Sequence, residues 1–244
     1  MRNRIMPAKQ KREFKEQYNI PMYFTAEVAR LVDISRYRVH RWLEGYVFTL
    51  ESGRRRQRPV VQRAWQDQAY PHYASFLDLV DLLFVKRFLD YGVSLQKLRK
   101  ALDEAKEVLG TDHFARQSFF TDGKNICLEV KKRGKEKGGA ILELLSGGQW
   151  VISDVIKQLA HQIDFDKTTE LACRWFPAEG NRIVVLDPLI SFGRPIIIGK
   201  GITTENIFDL FIAEGEATQP VCNWMDLTSE EIEAAVKFEK RLIV

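Results

Sequence analysis

The sequence predicts an α+β chain, mostly helical and built in three parts, and three observations carry that expectation. Between Tyr23 and Tyr46, apolar residues recur at three- and four-residue spacing on either side of a short polar turn, and an arginine-rich stretch follows. Near residue 116 the pattern changes to short apolar runs set around Asp122-Gly123 and Ser146-Gly147-Gly148, which read as hairpin turns. From Arg182 onward, the runs Ile183–Leu186 and Ile196–Ile198 flank a Gly/Pro-containing bend and lead into three helical stretches. The expected domains are therefore a winged helix-turn-helix over residues 1–115, a small antiparallel β-hairpin and helix middle region over 116–180, and a C-terminal β-arch with a trihelical, helix-turn-helix-like module over 181–244.

In the first part, Val28, Ala29, Leu31 and Val32 form the inner side of one helix, and Asp33 tolerates the left-handed backbone a tight turn demands. Ile34 plugs that turn. Ser35 is a good N-cap for a second helix whose Val39, Trp42 and Leu43 face inward together. The outward residues are then Arg36, Tyr37, Arg38, His40 and Arg41, and the N-terminal end of such a helix is what reaches base edges and phosphates in a major groove. A three-helix fragment with a solvated basic face fits the same spacing. Arg54, Arg55, Arg56 and Arg58 follow in a segment expected to be a flexible wing; like charges this dense suit phosphate contacts.

The next helix, Ser75–Tyr91, is apolar on more than one face and is expected to be buried. Ser94 caps another, with Leu95, Leu98, Ala101, Leu102, Ala105 and Leu109 in one stripe and Gly110 as its stop. In the middle region, Phe119–Thr121 and Ile126–Val130 would form one hairpin, and 140–145 with 149–152 a second. Ser153–Ile163 would be a short helix, followed by a polar connection through 164–181. In the last part, Thr203 or Thr204 opens one helix, Gly215 closes it, and Thr228 with Glu231 makes a capping box for another. Ile207, Leu210, Phe211, Val221, Trp224, Leu227, Ile232, Ala235 and Val236 are the expected trihelical core.

Charge divides the chain. Residues 1–70 hold fifteen Lys/Arg against seven Asp/Glu, whereas residues 202–244 hold three against nine. One end suits a polyanion, the other a basic surface. Residues 1–20 are polar and basic and read as a solvated tail or an arm along a nucleic-acid backbone. No apolar run approaches the roughly 20 residues that cross a bilayer, and no signal-peptide core is present, so the expected location is cytoplasmic, with no membrane partner. Cys127, Cys173 and Cys222 are odd in number and scattered, against a disulfide framework. His40, His72, His113 and His161 lack metal-ligand spacing, and no phosphate loop or nucleophile elbow is found. No metal, cofactor or enzymatic chemistry is expected.

Two stretches carry resemblances. Tyr23, Glu27, Val28, Ala29, Leu31, Ser35, Val39 and Trp42 resemble the opening of MerR-type DNA-binding domains, and Gly92-Val93-Ser94-Leu95, between two amphipathic helices, is similar to that family's second helix pair. Phe24 departs from the small helix-capping residue usual there, and Ser52-Gly53-Arg54-Arg55-Arg56-Gln57-Arg58-Pro59 replaces the usual wing signature. The family's long antiparallel dimer helix is also missing. Further on, D-P-x-x-x-x-G-R-P-x-x-x-G from Asp187, then a helix, then L-T-x-E-x-I-x-A-A-V from Leu227, resembles a small module of many bacterial antitoxins. The two together look like a VapB-type antitoxin of a type II toxin-antitoxin system.

That resemblance implies a double-stranded DNA operator as one partner, a PIN-like ribonuclease toxin as the other, and autorepression of the operon; a homodimer is expected because a single helix-turn-helix reads too few base pairs for operator specificity. The expected toxin-binding residues are Phe192, Glu205, Phe208, Asp209, Phe211 and Trp224. Of these, Phe211 and Trp224 fit the core by spacing, leaving Phe192 and Phe208 as the better contact candidates, with Glu205, Asp209, Glu214 and Glu216 as an acidic rim. The alternative is a MerR-like, ligand-responsive transcription regulator. An RNA-binding adaptor is a weaker third reading, because no aromatic-plus-basic sheet pattern is present.

Overall fold

A computed structural model of the chain describes residues 18–63, 72–109, 113–116, 158–178 and 180–243. The fold is α+β with small antiparallel sheets, as the sequence predicts. Two compact units divide the chain, one from 1–161 and 165–172, the other from 162–164 and 173–244. The basic arm before residue 18, Gly110, Cys127, both middle-region hairpins and the start of the 153–163 helix lie outside the described residues.

In the first unit, β1 (Tyr23–Phe24) leads into α1 (Thr25–Val32) and pairs antiparallel with β4 (Tyr73–Ala74). Helix α1 buries Val28, Ala29, Leu31 and Val32 and ends at Asp33 in the left-handed region, φ 56° and ψ 58°. Its N-cap is Phe24, which supplies no side-chain cap. Helix α2 (Arg36–Glu44) starts at Ser35, whose hydroxyl accepts from the Arg38 amide at 3.3 Å, and it buries Val39, Trp42 and Leu43. The two-helix geometry therefore follows from the spacing and caps already visible in the sequence.

Strands β2 (Tyr46–Leu50) and β3 (Gly53–Gln57) follow as a hairpin with Tyr46 opposite Gln57 and Leu50 opposite Gly53. This corrects one expectation: Arg54, Arg55 and Arg56 sit on a paired strand, because the ladder to β2 takes up backbone groups that a loop would leave to water. Gly45 joins helix to hairpin at φ +74°, and a Cβ there would collide with the Gln57 carbonyl oxygen, so no larger residue fits.

Helix α3 (Phe76–Asp90) opens with a capping box in which Ser75 and Asp78 bond each other's backbone amides at 3.1 and 2.9 Å. It is buried on nearly every face, as its continuous apolar run predicts. Phe84 packs against Phe88 at 4.5 Å and stacks on Phe114 at 4.8 Å between ring centroids. Each such buried ring is worth roughly 1.5–3 kcal/mol. Helix α4 (Leu95–Leu109) is capped by Ser94, whose hydroxyl accepts from the Lys97 amide.

The second unit holds most of a four-stranded sheet, in order β5 (Ile163–Phe165), β6 (Ala172–Trp175), β7 (Val184–Leu186), β8 (Pro195–Ile197), in which β7 pairs antiparallel with both β6 and β8. Strands β5 and β6 fall where the sequence suggested only a polar connection. Their alternation is too short, with three and four residues, for period-2 patterning to stand out. The expected helix through Ile163 likewise gives way to β5 at Ile163. Helices α5 (Thr204–Ala213), α6 (Thr218–Met225) and α7 (Ser229–Ile243) complete the unit. Thr203 caps α5, and Thr228 and Glu231 form the capping box of α7.

The core there is Val184, Leu186, Ile197, Ile207, Phe211, Val221, Leu227, Ile232, Ala235, Val236 and Phe238. Trp224, expected inside, is 76% exposed. Helix α6 spans only two turns, and Val221 is its one buried residue, so position 224 falls on the outer side.

Candidate functional site

In the first unit the outward face of α2 is as the spacing requires: Arg36, Tyr37, Arg38 and His40 are exposed and Arg41 is half-buried. Tyr37 is 65% exposed, unusual for a ring with no structural task. Arg41 ties the helix to the hairpin: its guanidinium lies 3.4 Å from the Tyr46 ring centroid and donates to the Tyr37 hydroxyl at 3.2 Å. His40 lies 3.5 Å from the Glu44 carboxylate one turn on. Among the described residues, no carboxylate pairs with Arg36, Arg38 or Arg41.

Hairpin register divides the arginines. Residues opposite each other share a face, so Arg54 and Arg56 stand with Thr49 and Val47, all four exposed, and Arg55 stands with half-buried Phe48 on the other face. Arg58 is different again. It forms a fork with the Asp103 carboxylate of α4, one arm at 3.1 Å, and its carbonyl accepts from Arg99 Nε at 3.2 Å. Arg58 is thus held as a brace between hairpin and α4, with its charge already partnered.

Arg99 itself escaped sequence reasoning, because a single Arg on an amphipathic helix carries no signal. Burial first, then the positive charges of Arg58 and Arg41, hold its pKa below the ordinary arginine range. A second missed feature is buried: His113 Nδ1 lies 2.7 Å from Asp81, whose other oxygen accepts from the Ala115 amide at 2.8 Å. Burial raises the Asp81 carboxyl pKa, and His113 opposes that rise. The sequence gives no hint of this pair, since 32 residues separate its members.

In the second unit, Asp187 organises the bend after β7. It accepts from Arg174 Nε at 2.7 Å and from the Leu189 amide at 2.9 Å, and this bond, before any other cause, raises the Arg174 pKa. The chain then passes through Ser191, Phe192 and Gly193, all with positive φ, at 49°, 54° and 72°. Two successive non-glycine residues in that region store strain, which persists only where the surroundings enforce it. The product is a Phe192 ring 87% exposed.

Ser191 Oγ donates to the Gly201 carbonyl, and Lys200 reaches the Asp226 carbonyl at 2.8 Å, which ties the Phe192 turn to the 199–201 turn and that turn to the end of α6. On α5, Glu205, Asp209 and Ile212 are exposed, whereas Phe208, one turn from buried Thr204 and Phe211, sits at the edge of the buried face and is half-buried. Phe211, at 8% exposure, belongs to the core and is not presented. The acidic rim is partly compensated: Glu205 lies 3.7 Å from Arg194 and Glu216 3.4 Å from Lys240. Asp209 and Glu214 remain exposed.

Among the described residues, no group of three or more His, Cys, Asp or Glu is placed to hold a metal ion. No described helix is long and apolar enough to cross a membrane.

Comparison with known proteins adds four findings. Residues 184–238 match a family described as a protein of unknown function, DUF433. Over 92% of this chain and 96% of its own length, a Mycobacterium tuberculosis protein named "Putative antitoxin VapB45" is 24% identical. The Mycobacterium tuberculosis protein named an uncharacterized HTH-type transcriptional regulator, Rv1830, is 34% identical over 79 residues, 32% of this chain and 31% of that one. Among solved structures, the crystal structure of Rv2018 from Mycobacterium tuberculosis superposes with a TM-score of 0.69 at 23% identity, covering 90% of this chain and 99% of that one. The chain thus shares the fold of that structure over 90% of its length.

Proposed function

We propose that this chain is a DNA-binding antitoxin of a type II toxin-antitoxin pair. Its first unit is a MerR-like winged helix-turn-helix that binds its own operator as a homodimer and represses the operon. Its C-terminal module covers a PIN-like ribonuclease toxin. The observation that carries this reading is the division of exposed chemistry: arginines on α2 and β3 that have no carboxylate partner among the described residues in one unit, and exposed Phe192 on a strained turn with exposed Trp224 on α6 in the other. The names of the VapB45 and Rv1830 relatives support the same two tasks.

On DNA, Arg36, Tyr37, Arg38 and His40 enter the major groove, Arg41, held by Tyr46, meets the backbone at the groove edge, and Arg54, Arg55 and Arg56 engage the backbone beside it. Arg58 acts by fixing the hairpin. On the toxin, Phe192, Phe208 and Trp224 supply the aromatic anchors, Glu205 and Asp209 meet cationic groups, and Phe211 supports the exposed α5 residues from beneath.

The test is separation of function in the full chain. Arg38→Ala should weaken binding to the upstream DNA of its own gene by about 1 to 3 kcal/mol, read by fluorescence anisotropy, with capture of the neighbouring gene product intact. The Phe192→Ala, Trp224→Ala double variant should do the reverse, losing at least about 2 kcal/mol of partner binding while DNA affinity holds. Wild-type chain that binds DNA but captures no neighbour-encoded protein would leave the ligand-responsive regulator as the better account.

A further inference from the structure

A cavity of about 540 Å³ opens in the first unit between α2, the start of β2 and the α3–α4 turn. Its wall holds Arg38, Arg41 and Arg99 from two helices, with Tyr37 and Tyr46 beside them and Asp90 as its one acidic residue. Asp90 is already engaged by Lys86 at 2.9 Å. The arginine side chains are only partly committed. Arg99 gives Nε to the Arg58 carbonyl and Arg41 gives one N–H to Tyr37, and among the described residues neither has a carboxylate partner. Three guanidinium groups converge on a concave, partly desolvated space, where their fields add and water screens them poorly. Such a cluster is unfavourable when empty and becomes favourable around a multiply charged anion whose oxygens match the guanidinium fork.

We propose that this cavity is a phosphate-type oxyanion site, with Arg41 and Arg99 as its two principal ligands and Arg38 at its mouth. Arg41 is pre-set for the role by stacking on Tyr46, and Arg99 by its bond to the backbone of Arg58, which the Asp103 fork in turn fixes. Both are therefore oriented before the anion arrives, which lowers the ordering cost of binding. The phosphate can belong to the DNA backbone beside the α2 groove contacts, a case that rests on the DNA-binding reading above, or to a free phosphorylated molecule, for which the volume and the tyrosine walls leave room.

The experiment follows the Arg41 and Arg99 Nε–H resonances of the full chain by NMR, with inorganic pyrophosphate and, separately, with a DNA duplex from upstream of its gene. It is paired with salt titrations of Arg99→Gln and Arg99→Lys on that duplex and on an unrelated one. A backbone phosphate is expected to move both resonances with duplex and to leave Arg99→Gln with a log-affinity against log-salt slope smaller by about 0.9 on both duplexes, Arg99→Lys keeping the slope. A free phosphorylated ligand is expected to give saturable shifts with pyrophosphate alone, with Arg99→Gln unaltered on DNA. Wild-type chain that binds neither duplex refutes the DNA reading, and the pyrophosphate arm still decides the cavity. Unmoved resonances in both titrations overturn the proposal, whether or not the variants fold.

Discussion

Asp81 and His113 show how much one buried contact can weigh. The carboxyl is fully enclosed, and its two oxygens are taken up by the imidazole and the Ala115 amide, which pins the 113–116 segment to α3. His113→Ala should cost about 3 to 5 kcal/mol at neutral pH, because it strands a buried acid without its partner. The sign with pH follows from the direction of the shift. Burial already raises the Asp81 pKa, and without His113 to oppose it the pKa climbs further, so the penalty for ionising Asp81 is fullest above that raised value and fades as pH falls toward the ordinary carboxyl pKa of about 3.9. Chemical denaturation at pH 7 and pH 5 should show the smaller loss at pH 5; equal losses would mean the pair is not electrostatically coupled. Nothing in the sequence could have given this, since long-range pairing of polar residues leaves no local period.

Among elements, those with local causes were legible and those with distant causes were not. Ser35, Asp33, Thr203, Thr228 and Glu231 act on their own helices within four residues, and each cap is found where the sequence places it. Strands β5 and β6 are set by their neighbours in the sheet, and Trp224 is outside because α6 ends after two turns. The hairpin lies between these cases: its charge was evident, its pairing was not, because four clustered arginines read as a loop. Its register now sharpens the expected salt dependence. Arg54→Gln with Arg56→Gln should lower the salt slope of DNA binding by roughly 1.8 if each meets one phosphate, and Arg55→Gln, on the other face, should do less. Equal effects of all three single changes would mean the hairpin twists on binding.

Across the whole molecule, the basic and acidic ends of the sequence fall in different compact units. That division was readable from charge counts alone, and the all-round burial of α3 from its continuous apolar run. A homodimer is expected from operator geometry alone, because the helix that joins MerR-type proteins is absent from the sequence pattern. A single α2 reads too few base pairs to select an operator, and paired half-sites about 34 Å apart need a two-fold protein. Light scattering at micromolar concentration should therefore give twice the monomer mass, and a strictly monomeric mass would exclude paired half-site recognition.

The left-handed turn at Ser191–Gly193 sets stability against recognition at a single point in the chain. An L-residue in that conformation costs about 1–2 kcal/mol, and glycine recovers only part of it because its greater freedom when unfolded is lost on folding. Ser191→Gly relieves strain and keeps the ring; Phe192→Gly relieves strain and deletes it. Two adjacent positions with the same backbone remedy thus have opposite consequences for function, and any programme that hardens this fold by consensus or by backbone relaxation will meet its choice between sturdiness and binding there.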